Sequence, residues 1–229
     1  MNSNRRAAQL LPKAIRIGRF LYRFPFVKGI GISGSLSKNV ADEKADIDFF
    51  IITKANRLWI CRTLMHLFKK LTFLAGRQHF YCMNYYIDEE ALLLHEQNIF
   101  TAIEIRTLLP VSGEAAFRQF FSVNQWVNNW LPCHPLRPTA AEQTRESTGK
   151  RFIEWIGDNR MIDRIDNYLM QITGRRWQRK EKRGKRNKKG QRMGLATGKH
   201  FARSNPGGLK EKILSRYEEK LIQLGLKGF

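Results

Sequence analysis

The stretch Gly34–Ile52, GSLSKNVADEKADIDFFII, decides how this chain is read. Apolar FVKGIGI, residues 26–32, precedes it and reads as a strand; a Gly-Ser turn follows, then ten residues, then Asp46-Ile47-Asp48 and the apolar run FFII. On an extended strand every second side chain shares a face, so Asp46 and Asp48 are expected side by side with Ile47 turned away. Two adjacent carboxylates suit a hard cation. Mg²⁺ takes carboxylate and phosphate oxygens and keeps part of its water, so two aspartates and a nucleotide's phosphates complete its shell without a protein cage. The glycine lets backbone approach an anion closely, and a serine hydroxyl beside helix-start amides supplies donors.

A second motif overlaps the first. Gly29-x-Gly31-x-x-Gly34 has the spacing of a dinucleotide fingerprint. That fold needs an apolar-faced helix between the turn and the next strand, and residues 36–45 supply only Leu36, Val40 and two alanines among polar and charged groups. Its acid should follow the second strand, whereas both aspartates here precede FFIIT.

With Gly34-Ser35, a ten-residue spacer and Asp46-x-Asp48, the sequence resembles the DNA polymerase beta-type nucleotidyltransferase superfamily, in particular its small bacterial, minimal nucleotidyltransferase-like members, over residues 25–110. The resemblance implies an α+β (mixed α/β) fold, a small mixed sheet flanked by helices. It implies that Gly34 and Ser35 hold the triphosphate of an NTP such as ATP. Asp46 and Asp48 would hold two Mg²⁺ ions, and a nucleoside monophosphate would pass to a hydroxyl acceptor with release of pyrophosphate. The family's third carboxylate lies on the strand after the next helix; here the helix is expected at 56–74, the strand at 79–87, and the acid's position falls on Asn84. An amide oxygen can ligate a hard cation but brings no charge and cannot act as a base. A base would then come from Asp88, Glu104 or solvent. Glu104, on an expected helix at 99–109, either lines the cleft or lies on the helix surface paired with Arg106 or a neighbouring lysine. The alternative function is a nucleotide- or RNA-binding protein on the same fold without catalysis.

The chain has 229 residues, 42% of them hydrophobic and 11% aromatic, enough for a sizeable core and unlike a disordered chain. We expect a nucleotidyltransferase-type domain at 1–110 and a mainly helical region at 111–229. Helical periodicity predicts an amphipathic helix over 6–22 docked on the sheet, a membrane-surface helix being the alternative. Further helices are expected at 113–131, 147–172 and after the Asn205–Gly208 breaker, with an extended connector through LPCHPLRP at 131–138. Cys61, Cys82 and Cys133 form no C-x-x-C pair, and the scattered histidines have no ligand spacing, so neither a disulfide framework nor zinc is indicated and a cytoplasmic location is expected. No membrane partner is expected, because Arg62, His66, Lys69 and Lys70 interrupt the longest apolar stretch.

Net charge is +21, of which residues 175–203, with thirteen Lys or Arg and one acid, contribute +12. This run is expected to stay solvated and to serve RNA contact, triphosphate steering or neither. Trp177 inside it is available for base stacking on that reading.

Overall fold

The computed structural model describes residues 2–41, 46–74, 81–133, 146–184, 193–206 and 208–225. Its six described strands form one sheet, ordered β4-β1-β2-β3-β6-β5. Strand β1 (Val27–Ser33) runs into a single helical turn, α2 (Gly34–Ser37), and the chain returns antiparallel as β2 (Asp48–Thr53). Helix α3 (Leu58–Leu74) then crosses over to β3 (Cys82–Asp88), which lies parallel to β2. An antiparallel hairpin followed by a parallel crossover gives the mixed α+β fold expected from the sequence.

FFII is buried on both sides, as a continuous apolar run in a central strand requires. Phe49 and Ile51 join a core with Ile30, Ile32, Ile47, Trp59, Met65, Met83 and Tyr86. Phe50 and Ile52 join another with Ile87, Ala102, Ile105, Phe117 and Phe120. Helix α1 (Asn2–Leu21) packs Ala14, Ile17 and Leu21 into the first core, so the amphipathic N-terminal helix docks on the sheet and its apolar stripe is not free for a membrane.

The second core is made by α4 (Ile99–Thr107) and α5 (Glu114–Val123). A Cβ on Gly29 would come within 3.1 Å of the Phe117 ring, and one on Gly31 within 3.0 Å. Two glycines of the apparent dinucleotide fingerprint therefore make room for an aromatic ring from α5. The antiparallel return of β2 after one helical turn excludes a Rossmann unit, which needs a parallel strand at that point.

Several elements differ from expectation. The helix expected at 99–109 stops at Thr107, and Leu109–Ser112 form an edge strand, β4, beside β1. An edge is where a strand tolerates Pro110. The helix expected at 113–131 breaks at fully buried Asn124 and resumes as α6 (Val127–Trp130). The Asn124 amide donates to the carbonyls of Leu92 and Phe120, each at 2.8 Å, and its oxygen accepts from Leu94 N–H at 2.9 Å and Trp126 Nε1 at 3.0 Å. The helix expected at 147–172 is two helices, α7 (Thr148–Ile156) and α8 (Arg160–Lys182), separated at Gly157. Buried Arg57 reaches that break, donating from Nε to the Gly157 carbonyl at 2.9 Å and pairing with Asp163. Of the expected connector at 131–138, residues 134–138 lie outside the described residues.

The basic run is exposed along α8 as expected, but where it is described its backbone is regular. Residues 175–182 extend α8, where Trp177 is buried with the Arg62 guanidinium 4.7 Å from its ring centroid, so this indole is not free to stack on a base. After residues 185–192, which lie outside the described set, β5 (Met193–Thr197) and β6 (Phe201–Pro206) form a hairpin that pairs with β3. Helix α9 (Leu209–Gln223) follows. The region after residue 110 is thus mainly helical and also supplies strands at one edge of the sheet.

Candidate functional site

Ser33 at the end of β1 pairs with Asp48 at the start of β2, and Asp48 pairs in turn with Cys82 at the start of β3. The turn after β1 therefore sits beside the first carboxylate of β2 by hydrogen-bond register alone. Gly34 has φ +71°, a left-handed conformation that disfavours any Cβ, and a Cβ built there would lie 2.5 Å from Asp48 Oδ2. Glycine at this position is what allows the turn and the carboxylate to approach each other.

Asn84 reaches the same place from β3. The β2–β3 register runs Asp48 to Cys82 and Phe49 to Met83, then shifts so that Phe50 faces Tyr85. The extra residue is Asn84. Met83 and Tyr86 both enter the first core, while Asn84, Tyr85 and Ile87 line the opposite face. Alternation after Met83 turns the Asn84 amide toward Asp48, to which it donates a hydrogen bond through Nδ2, and the bulge keeps Tyr85 on that face as well.

Gly34, Ser35, Asp48, Asn84 and Glu104 all line one cavity of about 520 Å³. Glu104 lines the cleft, and its ion-pair partner is Lys38 and not Arg106, which donates to Asn128 and the Leu131 carbonyl. It accepts from Lys38 Nζ at 2.7 Å, and the same ammonium donates to the Gly34 carbonyl at 3.1 Å, tying α4 to the turn. Asp46 is half-buried two residues before Asp48, on the other side of fully buried Ile47, and is not among the residues lining the cavity.

Asp88, weighed above as a base, belongs to another environment. The bulge breaks the alternation that would have put it on Asn84's face. It is fully buried at the opposite end of β3, where its carboxylate accepts from the N–H groups of Asn56 and Glu90, each at 3.1 Å, and pairs with His200 Nδ1 at 2.9 Å.

The rest of the cavity has no counterpart in the sequence reading. Its floor is Phe50, Ile87, Leu108 and Phe120, and Tyr85 stands beside Asn84. Burial pushes the Tyr85 hydroxyl above the usual tyrosine range, so it stays a neutral donor near pH 7. At the far rim Glu96 accepts from Arg203 of β6 at 2.9 and 3.1 Å and from Lys210 of α9 at 2.8 Å. These charge-assisted bonds, led by Arg203, hold the Glu96 carboxyl down at about 2. Arg203 comes to the cavity because β6 adds antiparallel to β3, with Arg203 facing Tyr85. Nothing in the local sequence around residue 203 announces that pairing.

Asp48, the Asn84 amide oxygen and the Ser35 hydroxyl are hard donors of the kind Mg²⁺ takes and all three line the cavity, whereas Asp46 does not. Among the described residues no three of His, Cys, Asp or Glu come together as a metal-binding group. The described cysteines are all free thiols, and no described helix is long and apolar enough to cross a membrane. Comparisons of the whole chain with family models, curated proteins and solved structures gave no match.

Proposed function

We propose that this protein is a Mg²⁺-dependent nucleotidyltransferase that moves a nucleoside monophosphate from an NTP, ATP foremost, to a hydroxyl acceptor in the cytoplasm. The observation that carries the reading is the meeting of the Gly34-Ser35 turn, Asp48 and Asn84 at one end of a cavity large enough for a nucleotide. In this reading Ser35 and the backbone around Gly34 receive the triphosphate, while Asp46 and Asp48 would hold the cation. The cation would supply charge neutralisation on the phosphates. The acceptor oxygen bonds to the α-phosphorus, the bond from that phosphorus to the α,β-bridging oxygen breaks, and pyrophosphate leaves with those electrons. The hydroxyl proton goes to Glu104 or to solvent, since Asn84 cannot take it.

Substituting Asp48 with alanine tests the assignment: incorporation of labelled nucleotide in the presence of Mg²⁺ is expected to vanish, and undiminished incorporation refutes it. One observation favours a second reading, binding of Mg²⁺-NTP without transfer: the amide at position 84 and the absence, among the described residues, of a third acid beside the aspartates. Asn84→Asp separates the two. An impaired enzyme gains metal affinity or rate, whereas a non-catalytic binder stays inactive. Calorimetry of the native protein with Mg²⁺-ATP bears on both, because absence of binding removes both.

A further inference from the structure

Helices α7 and α8 leave a large apolar surface uncovered. Phe152, Ile153, Trp155 and Ile156 are exposed on α7, opposite buried Lys150 and Glu154, and Trp155 is 75% accessible. The Phe152 and Trp155 rings stack with centroids 6.2 Å apart. Met161, Ile165 and Tyr168 continue the exposed apolar set on α8 at i, i+4 and i+7, one face of the helix. Soluble proteins rarely expose so many large apolar groups in so short a span without a partner for them.

Charge on the same helix says which partner. Continuing the stripe from Tyr168 at helical steps leads through Ile172 to Arg175, Arg179 and Lys182, all three exposed. One face of α8, roughly 34 Å long at 1.5 Å per residue, thus changes from apolar to cationic along its length. Arg151, Arg160 and Arg164 are exposed beside the apolar part. The nearby acids Asp158 and Asp163 are paired inward, Asp158 with Lys54 at 3.0 Å and Asp163 with buried Arg57.

We propose that this face docks on an anionic bilayer surface, with Phe152, Trp155, Ile156, Met161 and Ile165 entering the headgroup–acyl boundary and Arg175 and Arg179 meeting lipid phosphates. Aliphatic and indole side chains gain by leaving water for that boundary, and each nearby basic residue adds attraction to anionic lipid. A second copy of the chain fits less well, because two molecules of charge +21 repel. Nucleic acid would satisfy the arginines but offers nothing to Ile153, Ile156, Met161 and Ile165.

The test is sedimentation of the full chain with vesicles of phosphatidylcholine alone and of phosphatidylcholine mixed with phosphatidylglycerol, without nucleotide. Binding to the mixed vesicles is expected to be at least about tenfold tighter and to weaken with salt. Phe152→Ser with Trp155→Ser, both exposed and so compatible with a native circular-dichroism spectrum, is expected to lower it about tenfold or more. Arg175→Gln with Arg179→Gln is expected to lower it by a similar factor on mixed vesicles only. Failure to bind mixed vesicles at low salt overturns the proposal, as does binding that the serine pair leaves unchanged. A concentration-dependent dimer abolished by Trp155→Ser would give the face to a second copy. Retention on RNA that is insensitive to the serine pair, without vesicle binding, would give the basic part to nucleic acid.

Discussion

Both ends of the central strands carry charged groups and use them in opposite ways. At the Val27–Thr53 end the charges are turned on one another. Glu154 accepts from Phe26 N–H at 2.7 Å and from Lys28 Nζ at 2.8 Å, while buried Lys150 donates to the carbonyls of Tyr22 at 3.1 Å and Val27 at 2.6 Å. The cluster holds Phe26 at φ +66°, a conformation that a bulky residue adopts only when its surroundings fix it. Asp88, on β3 at the same end, is occupied by two backbone amides and His200. At the Ser33–Asp48 end a carboxylate, an amide and a glycine turn face a cavity. One end spends its charge on holding helices to the sheet; the other turns it toward the cavity.

The largest expected effect falls on the cavity end. Asp48→Ala is expected to cost nucleotidyl transfer about 1,000-fold, about 4 kcal/mol in transition-state terms, with little change in melting temperature. A loss of stability as large as the loss of rate would erase the distinction between the ends.

Glu154→Ala probes the other end. It leaves the Phe26 N–H without its acceptor and Lys28 with Glu146 alone, and a cost of about 3 kcal/mol in urea unfolding is expected. Nucleotide affinity measured on the folded fraction should be unchanged. A selective loss of nucleotide binding would show that the two ends are coupled through β1.

Gly34→Ala should do some of each. The positive φ costs a non-glycine residue about 1–2 kcal/mol, and the new methyl group meets Asp48 at 2.5 Å. Destabilisation with weakened Mg²⁺-NTP binding is expected by calorimetry and thermal melts; a neutral result would mean that the turn and the carboxylate are not in mutual contact.

The smallest effect belongs to the cavity's far rim. Glu96 has its folded pKa lowered to about 2 from an ordinary 4.5, so its contribution is present above about 4.5 and is lost as pH falls from there toward 2. Because the bridge is largely exposed, Glu96→Gln is expected to cost at most about 1 kcal/mol and to flatten the pH dependence of melting in that window. An unchanged slope between wild type and variant would remove Glu96 from the account.

The hairpin through Asp48, helix α3 and the docking of α1 were legible because each carries its own periodicity: FVKGIGI and FFII for strands, Ala14–Ile17–Leu21 for a helix face. Gly34, Ser35, Asp48, Asn84 and Glu104 were legible as lining a common space. What escaped was made by distant partners. Leu109–Ser112 become a strand only because β1 offers an open edge, and the described parts of the basic stretch join a helix and a hairpin where Trp177 finds Arg62 and β6 finds β3. Charge density argued for solvation there, and Arg175, Arg176, Arg179 and Lys182 are exposed, although the backbone that carries them is helical. Arg203 and Lys210 could not be placed at the cavity from sequence, since each arrives across more than 100 residues to meet Glu96.

The register shift at residue 84 has a consequence for how such a pocket can diversify. Because the residue stands outside the regular ladder, exchanging amide for acid there alters the pocket's charge while Met83 and Tyr86 keep their places in the interior. Substitution at that single position is therefore a route by which descendants of this chain could gain or surrender chemistry without refolding the sheet.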